Sequence, residues 1–269
     1  MEYVDRGTDR LALHTYPHDG SGPAVLFLPA MGVPARYYRP FATALAAHGL
    51  AVSVADLRGT GASTPAPSRA TRYGYAELTA DIGALLERLD GRPVVLAGHS
   101  LGGQAALLHA AVHRPPKVVG LALVAVGIPY WRGGYGRRGF GLLPFTQGIA
   151  ATAAVLGYWP GWGFGGRQAR GVMSDWAYSA RTGRYRPVDG TDPEQALNDL
   201  TTPVLMVSVE QDAYTPAPIV DFTASKLRSA PVERDHFDAE RAGAPLDHFR
   251  WARAGTAIAA RVADFAKAR

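Results

Sequence analysis

The chain of 269 residues contains no cysteine. Disulfides, thiolate metal sites and a cysteine nucleophile are therefore excluded together. No run of apolar letters exceeds the length of a strand, so no membrane span is expected. The opening stretch MEYVDRGTDRLALHTYPHDG has no basic region followed by an apolar one, the pattern of a secretory signal. A cytoplasmic location is the resulting expectation. GRPVVLAG lacks the Gly-Lys-Ser/Thr ending of a phosphate loop, and no His/Asp/Glu group has metal spacing. No cofactor is implied. Charged residues make up only 19 %, against 47 % hydrophobic ones, which is a globular composition. The net charge of +5 is not matched by any nucleic-acid motif beyond one short Arg/Gly-rich piece, RGGYGRRGFG, and no nucleic-acid partner is expected.

What is present is a rhythm. AVLFLPA (24–30), LAVSVAD (50–56), PVVLAG (93–98), GLALVAVG (120–127) and PVLMVSVE (203–210) are nearly continuous apolar runs, the signature of strands buried on both faces. A further strand is expected over 231–237, and Tyr3 to Tyr16 suggests an antiparallel hairpin through Gly7-Thr8-Asp9. Helices are expected at 37–48, 75–89, 101–113, 216–229 and 248–267. Leu78, Ile82, Leu85, Leu86 and Leu89 show helical spacing in the second of these. Alternation of this kind predicts a mostly parallel, doubly wound α/β sheet flanked by helices. The rhythm fails from Pro129 to Asn198, and residues 129–198 read as a helical cap inserted between two core strands. Residues 1–128 and 199–269 then form the core.

VVLAGHSLGG (94–103) places Ser100 after a buried strand and at the start of a helix. A Gly-x-Ser-x-Gly there has two readings. One is a nucleophile elbow, whose sharp turn strains the serine backbone while the glycines relieve crowding. The other is an ordinary Gly-rich turn. In the first reading the helix N-terminus aims unpaired N–H groups at the reacting centre, and the Leu101 N–H is a natural oxyanion donor.

Together these blocks resemble the α/β-hydrolase family, over about 200 residues outside the cap. LFLPAMGVPARYYRPFATALAAHG stands in the family's first loop, VADLRGTGAST resembles its Asp-x-Arg-Gly block, and AGHSLGG its elbow. SVEQDAYTP resembles the loop that supplies the acid, and PLDHFRWA the histidine loop. The wording is closest to poorly characterised predicted bacterial hydrolases. The resemblance implies the α/β-hydrolase fold and a Ser, Asp, His order of catalytic residues. By position in the first loop, the second oxyanion donor is the Met31 N–H, with Pro29-Ala30 where a His-Gly pair is common. Asp56 and Arg58 are read as structural.

Eight histidines are available as the base. His14 and His18 lie near the hairpin, His48 ends a helix, and His109 and His113 follow the elbow. His236 and His248 sit in near-copies, DHFDAE and DHFRWA. The family's base lies after the last strand and before the last helix, which favours His248 and leaves His236 as the second candidate. Asp212 is the acid by the same resemblance, with Glu210 two residues earlier. Some members carry the acid one strand sooner, but LVAVGIPYW has no carboxylate.

The expected function is a carboxylesterase- or lipase-like serine hydrolase, Ser100, Asp212 and His248 cleaving an ester or related acyl bond of a small molecule. The alternatives are an acyltransferase, cyclase or perhydrolase using the same triad, or a non-catalytic binding protein on the same fold. From 129 to 190 there are eight Arg, no Lys, no Glu and two Asp, an excess of +6. Such a cap is either a solvated surface or an attractor for an anionic substrate. Tyr130, Trp131, Trp159, Trp162 and Trp176 either wall an apolar pocket or form the cap's own small core. His99 neighbours Ser100 from the other side of the turn and joins Tyr130, Trp131, Trp159 and Trp176 as a substrate-binding candidate. The Gly-rich stretches of the cap suggest a mobile gate.

Overall fold

The apolar runs become the interior of an eight-stranded sheet. The computed structural model describes residues 1–17, 22–89 and 91–269; His18 lies outside the described residues. The strands are β1 (Glu2–Arg6), β2 (Asp9–Tyr16), β3 (Ala24–Leu28), β4 (Val52–Ala55), β5 (Val94–His99), β6 (Val118–Val124), β9 (Val204–Val209) and β10 (Val232–Phe237). Their order is β1-β2-β4-β3-β5-β6-β9-β10. β1 and β2 form the expected hairpin, and β2 meets β4 antiparallel; all other pairs are parallel.

Strand alternation divides the core into two layers. Val25, Phe27, Val95, Ala97, Val124 and Val207 face one side, with Phe41, Leu45, Trp251, Val262 and Phe265. Those residues come from α1 (Arg39–Ala47), α9 (Trp251–Ala254) and α10 (Thr256–Lys267). Leu26, Leu28, Leu96, Leu121, Leu123 and Met206 face the other side. They meet α2 (Tyr75–Arg88), α3 (Ser100–His113), α6 (Pro193–Asn198) and α7 (Ala217–Ala224). A fully buried aliphatic side chain contributes about 1.5–3 kcal/mol, so both layers hold the sheet in register.

Some boundaries differ from expectation. The helix expected over 37–48 begins with a 3-10 turn, Ala35–Tyr38, and α1 starts with Pro40 near its N-terminus. The helix expected over 248–267 is two helices, interrupted at Gly255, whose backbone leaves the helical region and where a Cβ would run into the Trp251 carbonyl. The helix expected over 216–229 stops at Ala224.

Between β6 and β9 lie α4 (Gly139–Leu156), the short strands β7 (Tyr158–Trp159) and β8 (Gln168–Ala169), and α5 (Arg170–Thr182). α6 falls inside the 129–198 span but packs on α3 of the core. The reading that apolar runs do not exceed strand length needs correction here. Residues 136–156 are helical throughout, and by length and composition they could cross a membrane; Gly139, Thr146, Ile149 and Ala153 are its buried residues. Glycines, a proline and threonines interrupt its letters, so it does not read as a run. It packs on α5.

Candidate active site

Ser100 sits at the corner between β5 and α3 with φ +49°, in the left-handed region. A side chain rarely takes that backbone without surroundings that enforce it. Here they do. A Cβ at Gly98 would strike Gly103, and one at Gly102 would strike the carbonyls of Leu28 and Pro29. Glycine at these positions lets β3, β5 and α3 close around the corner and present Ser100 outward.

Asp212 follows β9 in a tight turn. Its Oδ1 accepts the backbone N–H groups of Tyr214 (2.8 Å) and Thr215 (2.7 Å). Its Oδ2 accepts the Nδ1–H of His248 at 2.7 Å, with the carboxylate fully buried and the imidazole nearly so. A carboxylate can only accept, so the pair fixes the proton on Nδ1 and leaves Nε2 free to take another. The two loops are also joined by backbone: Gln211 pairs with Asp247, and the Gln211 N–H donates to the Leu246 carbonyl at 3.3 Å. Ser100, Leu101, Met31 and His248 all line one cavity of about 750 Å³.

The rival candidates lie elsewhere. His236 is exposed on edge strand β10, its Nδ1 2.9 Å from the Ser208 hydroxyl. Glu210 is exposed and accepts the Ala239 N–H at 3.3 Å. Asp56 is buried and holds the backbone N–H groups of Ala35 (2.5 Å) and Ala62 (2.9 Å), while Arg58 pairs with Asp9 and Asp81. Both tie loops together.

His99 does not face the cavity, contrary to the substrate-binding expectation. Position 99 is the last of β5 and alternation turns its ring into the core, where it is fully buried. Its ring centroid lies 4.5 Å from that of His248 and 5.2 Å from Trp251. Burial, then the neighbouring His248, hold its pKa well below the usual histidine range, so it is neutral. Its Nδ1 lies 2.7 Å from the Tyr38 hydroxyl, which also accepts the Ala30 N–H at 3.0 Å. With that acceptance in place, the Tyr38 proton is directed to His99. Tyr38 thus ties the loop carrying Met31 to the end of the strand that leads into Ser100. Two adjacent tyrosines gave no signal for this in the sequence.

The aromatics of residues 129–198 sort unevenly. Trp176 lines the cavity, stacked on Phe164 at 4.8 Å. Tyr130, Trp131 and Trp159 do not line it. Tyr130 packs on Phe222, Trp131 on Phe140, and Trp159 is buried with its indole N–H on the Phe164 carbonyl at 2.8 Å. Trp159 belongs to the interior of this inserted segment and Tyr130 to its seam with α7, while Trp131 is half-buried against the exposed Phe140. Tyr135, Phe145, Phe164, Tyr214 and Phe249 are the cavity aromatics that the sequence did not single out. Trp162 is 67 % exposed. The loop Gly161–Gly166 presses backbone to backbone on the first loop: a Cβ at Gly32 would strike the Gly165 carbonyl, and one at Gly165 would approach the Met31 sulfur.

Residues 25–262 match the model of the Alpha/beta hydrolase family, and the chain belongs to that family. It is 32 % identical over 130 residues to an epoxide hydrolase of Caballeronia sordidicola, covering 48 % of this chain and 38 % of that protein. It is 31 % identical over 144 residues to the magnesium-chelatase 30 kDa subunit of Rhodobacter capsulatus, covering 51 % of this chain and 48 % of that one. These matches span less than half the length of either relative. Among solved structures, Est1E of Butyrivibrio proteoclasticus with ferulic acid bound matches all of both chains, with TM-score 0.69 and 16 % identity. The enol-lactonase of Burkholderia xenovorans LB400 matches 98 % of this chain and 99 % of its own, with TM-score 0.66 and 17 % identity. At such identities these two likenesses speak to the fold alone.

Proposed function

We propose that this protein is a serine hydrolase that cleaves an ester or related acyl bond of a small molecule. The observation that carries this reading is the buried His248–Asp212 pair opening on the cavity that Ser100 also lines. In this reading His248 Nε2 takes the Ser100 proton as Oγ attacks the carbonyl carbon. The N–H groups of Leu101 and Met31 hold the developing oxyanion. The protonated His248, stabilised by Asp212, then gives its proton to the leaving oxygen. A water molecule, deprotonated by His248, cleaves the acyl-enzyme in the same way. Family membership supports the reaction class.

The cap of residues 129–198 closes over the serine and sets the substrate class. The cavity lining is mostly apolar and aromatic, with Phe145, Phe164 and Trp176 contributed by the cap. Arg138 is its one Lys, Arg, Asp or Glu side chain among the described residues. An apolar ester bearing an anionic group suits such a site best.

A fluorophosphonate probe tests the nucleophile. Wild type is expected to label and Ser100→Ala is not. Absence of labelling in wild type, or equal labelling of both, would sink the reading. Product analysis with an added alcohol, amine or peroxide separates hydrolysis from acyl transfer.

A further inference from the structure

Helix α4 is apolar on the side it shows to solvent. Its 18 residues include no Lys, Arg, Asp or Glu. Gly139, Thr146, Ile149 and Ala153 recur at helical spacing and are buried, where α4 packs on α5. Phe140, Pro144, Gly148, Ala151 and Val155 recur at the same spacing on the opposite side, and all are exposed. Phe140 is 72 % exposed and Val155 84 %. A surface helix ordinarily carries charge on its outer face, and a helix apolar all round is ordinarily covered all round. From Phe140 to Val155 the uncovered face runs about 22 Å. Apolar patches of that extent mark an interaction surface.

Positive charge flanks the face. From 129 to 174 the chain has five Arg and no Lys, Asp or Glu. Arg137 and Arg138 stand exposed in the 3-10 turn just before α4. Arg132 lies over the Trp131 ring, which in turn meets Phe140. At the other end Arg69 donates to the Leu156 carbonyl at 3.3 Å, and Arg167 lies over the Tyr158 ring. The face also adjoins the cavity, which Arg138, Gly141, Leu142 and Phe145 help to line. Trp162 is exposed between Gly161 and Gly163, two more lining residues.

We infer that α4 docks this protein on a lipid bilayer bearing anionic headgroups. The helix lies in the plane of the surface, with Phe140, Phe145 and Val155 against the acyl chains and the arginines at both ends among the headgroups. Other occupants fit less well. A symmetric pair of copies would set this patch against itself and bring arginines against arginines. A protein partner would use hydrogen bonds, about one per 100–200 Å² of interface, and the exposed positions of α4 carry no polar side chain. Acyl chains ask for no hydrogen bonds, and anionic headgroups attract cations. Trp162 suits the boundary between the two. Because Phe145 belongs both to the exposed face and to the cavity lining, docking sets the cavity beside the bilayer, where apolar molecules collect. The docking does not depend on the hydrolase reading.

The test is co-sedimentation with vesicles of pure phosphatidylcholine and of an equal mixture of phosphatidylcholine and phosphatidylglycerol. Wild type is expected to bind the mixed vesicles at least about tenfold more tightly than the neutral ones, and less tightly as salt is raised. The double variant Phe140→Ser/Val155→Ser is expected to lose about tenfold or more on the mixed vesicles. Ala151→Glu, a carboxylate in the middle of the face, is expected to lose as much. All three positions are exposed, so thermal midpoints are expected to stay at the wild-type value. Arg132→Gln/Arg137→Gln is expected to bring the mixed vesicles close to the neutral ones. No binding to either vesicle, equal binding to both, or binding that survives Ala151→Glu overturns the inference. So does a wild-type dimer, seen by light scattering, that Ala151→Glu dissociates, because the face then belongs to a second copy. If vesicles bind wild type and not Ala151→Glu while the fluorophosphonate fails to label, the hydrolase reading falls and the docking stands.

Discussion

The molecule contains the tripeptide Asp-His-Phe twice, and the two copies do opposite things. Asp235-His236-Phe237 ends the edge strand β10. There the aspartate pairs with Arg241 and Arg261, the histidine is exposed beside Ser208, and the phenylalanine is buried. Asp247-His248-Phe249 lies in the turn before α9. There the aspartate accepts the N–H groups of Phe249 (2.9 Å) and Arg250 (2.8 Å), the histidine is buried against Asp212, and the phenylalanine lines the cavity. A strand alternates its side chains across the sheet and fixes which face each one meets. A capped turn instead lets the histidine turn inward to the neighbouring strand end. The difference comes from the loop geometry, with the same three letters in both places.

The contrast is tested most severely by removing each histidine. His248→Ala is expected to lower kcat/KM for an ester by about 10⁴-fold or more, and His236→Ala by less than about twofold. Comparable losses in both, measured with one ester at saturating and sub-saturating concentrations, would erase the distinction drawn above.

A third histidine sharpens it. His109 is also buried, but no carboxylate pairs with it among the described residues; its Nδ1–H donates to the Thr79 carbonyl and its ring centroid lies 4.9 Å from that of His113. Burial, then His113, push its pKa down to about 4. The unfolded chain therefore binds a proton there below about pH 6.5 that the folded chain refuses. The stabilisation is present above that pH and is lost as pH falls towards 4, by on the order of 3 kcal/mol. Urea unfolding at pH 7 and pH 4.5 should show a shallower pH dependence in His109→Asn than in wild type. His99, buried neutral as well, keeps part of the dependence in both.

Smaller effects follow at the supports. Tyr38→Phe removes the hydroxyl that joins Ala30 to His99, and a kcat loss of about tenfold with little change in KM is expected. Equal changes in both constants would point to general loosening of the fold. Partial burial alone would raise the Asp235 carboxyl, but hydrogen bonds from Arg241 and Arg261 hold it below the usual range. Asp235→Asn is expected to leave turnover alone and lower stability by at most about 1 kcal/mol, read by thermal melting.

The core was legible because its strands are buried on both faces. Val94 to His99 has nothing but buried positions, and the letters say so. The elbow was legible for a similar reason, since the glycines around Ser100 answer to backbone contacts close in sequence or on the next strand. The cap resisted. α4 is apolar around most of its circumference, so its periodicity names no inward face. Whether Trp131 or Tyr135 meets the substrate depends on how α4 and α5 cross, a matter of tertiary packing. His99 shows the limit at one residue's resolution: adjacency to Ser100 along the chain suggested the cavity, and strand alternation put the ring on the opposite side.

The seam between Gly32 and Gly165 bears on how such a fold can change. A side chain at Gly32 would meet the Gly165 carbonyl, and one at Gly165 the Met31 sulfur, so neither glycine can be replaced without moving the facing loop. A foreign cap grafted onto this core would have to bring its own glycine turn over Met31 or push the first loop aside. The Gly161–Gly166 loop and the first loop are in that sense a single mechanical unit, although about 130 residues separate them along the chain.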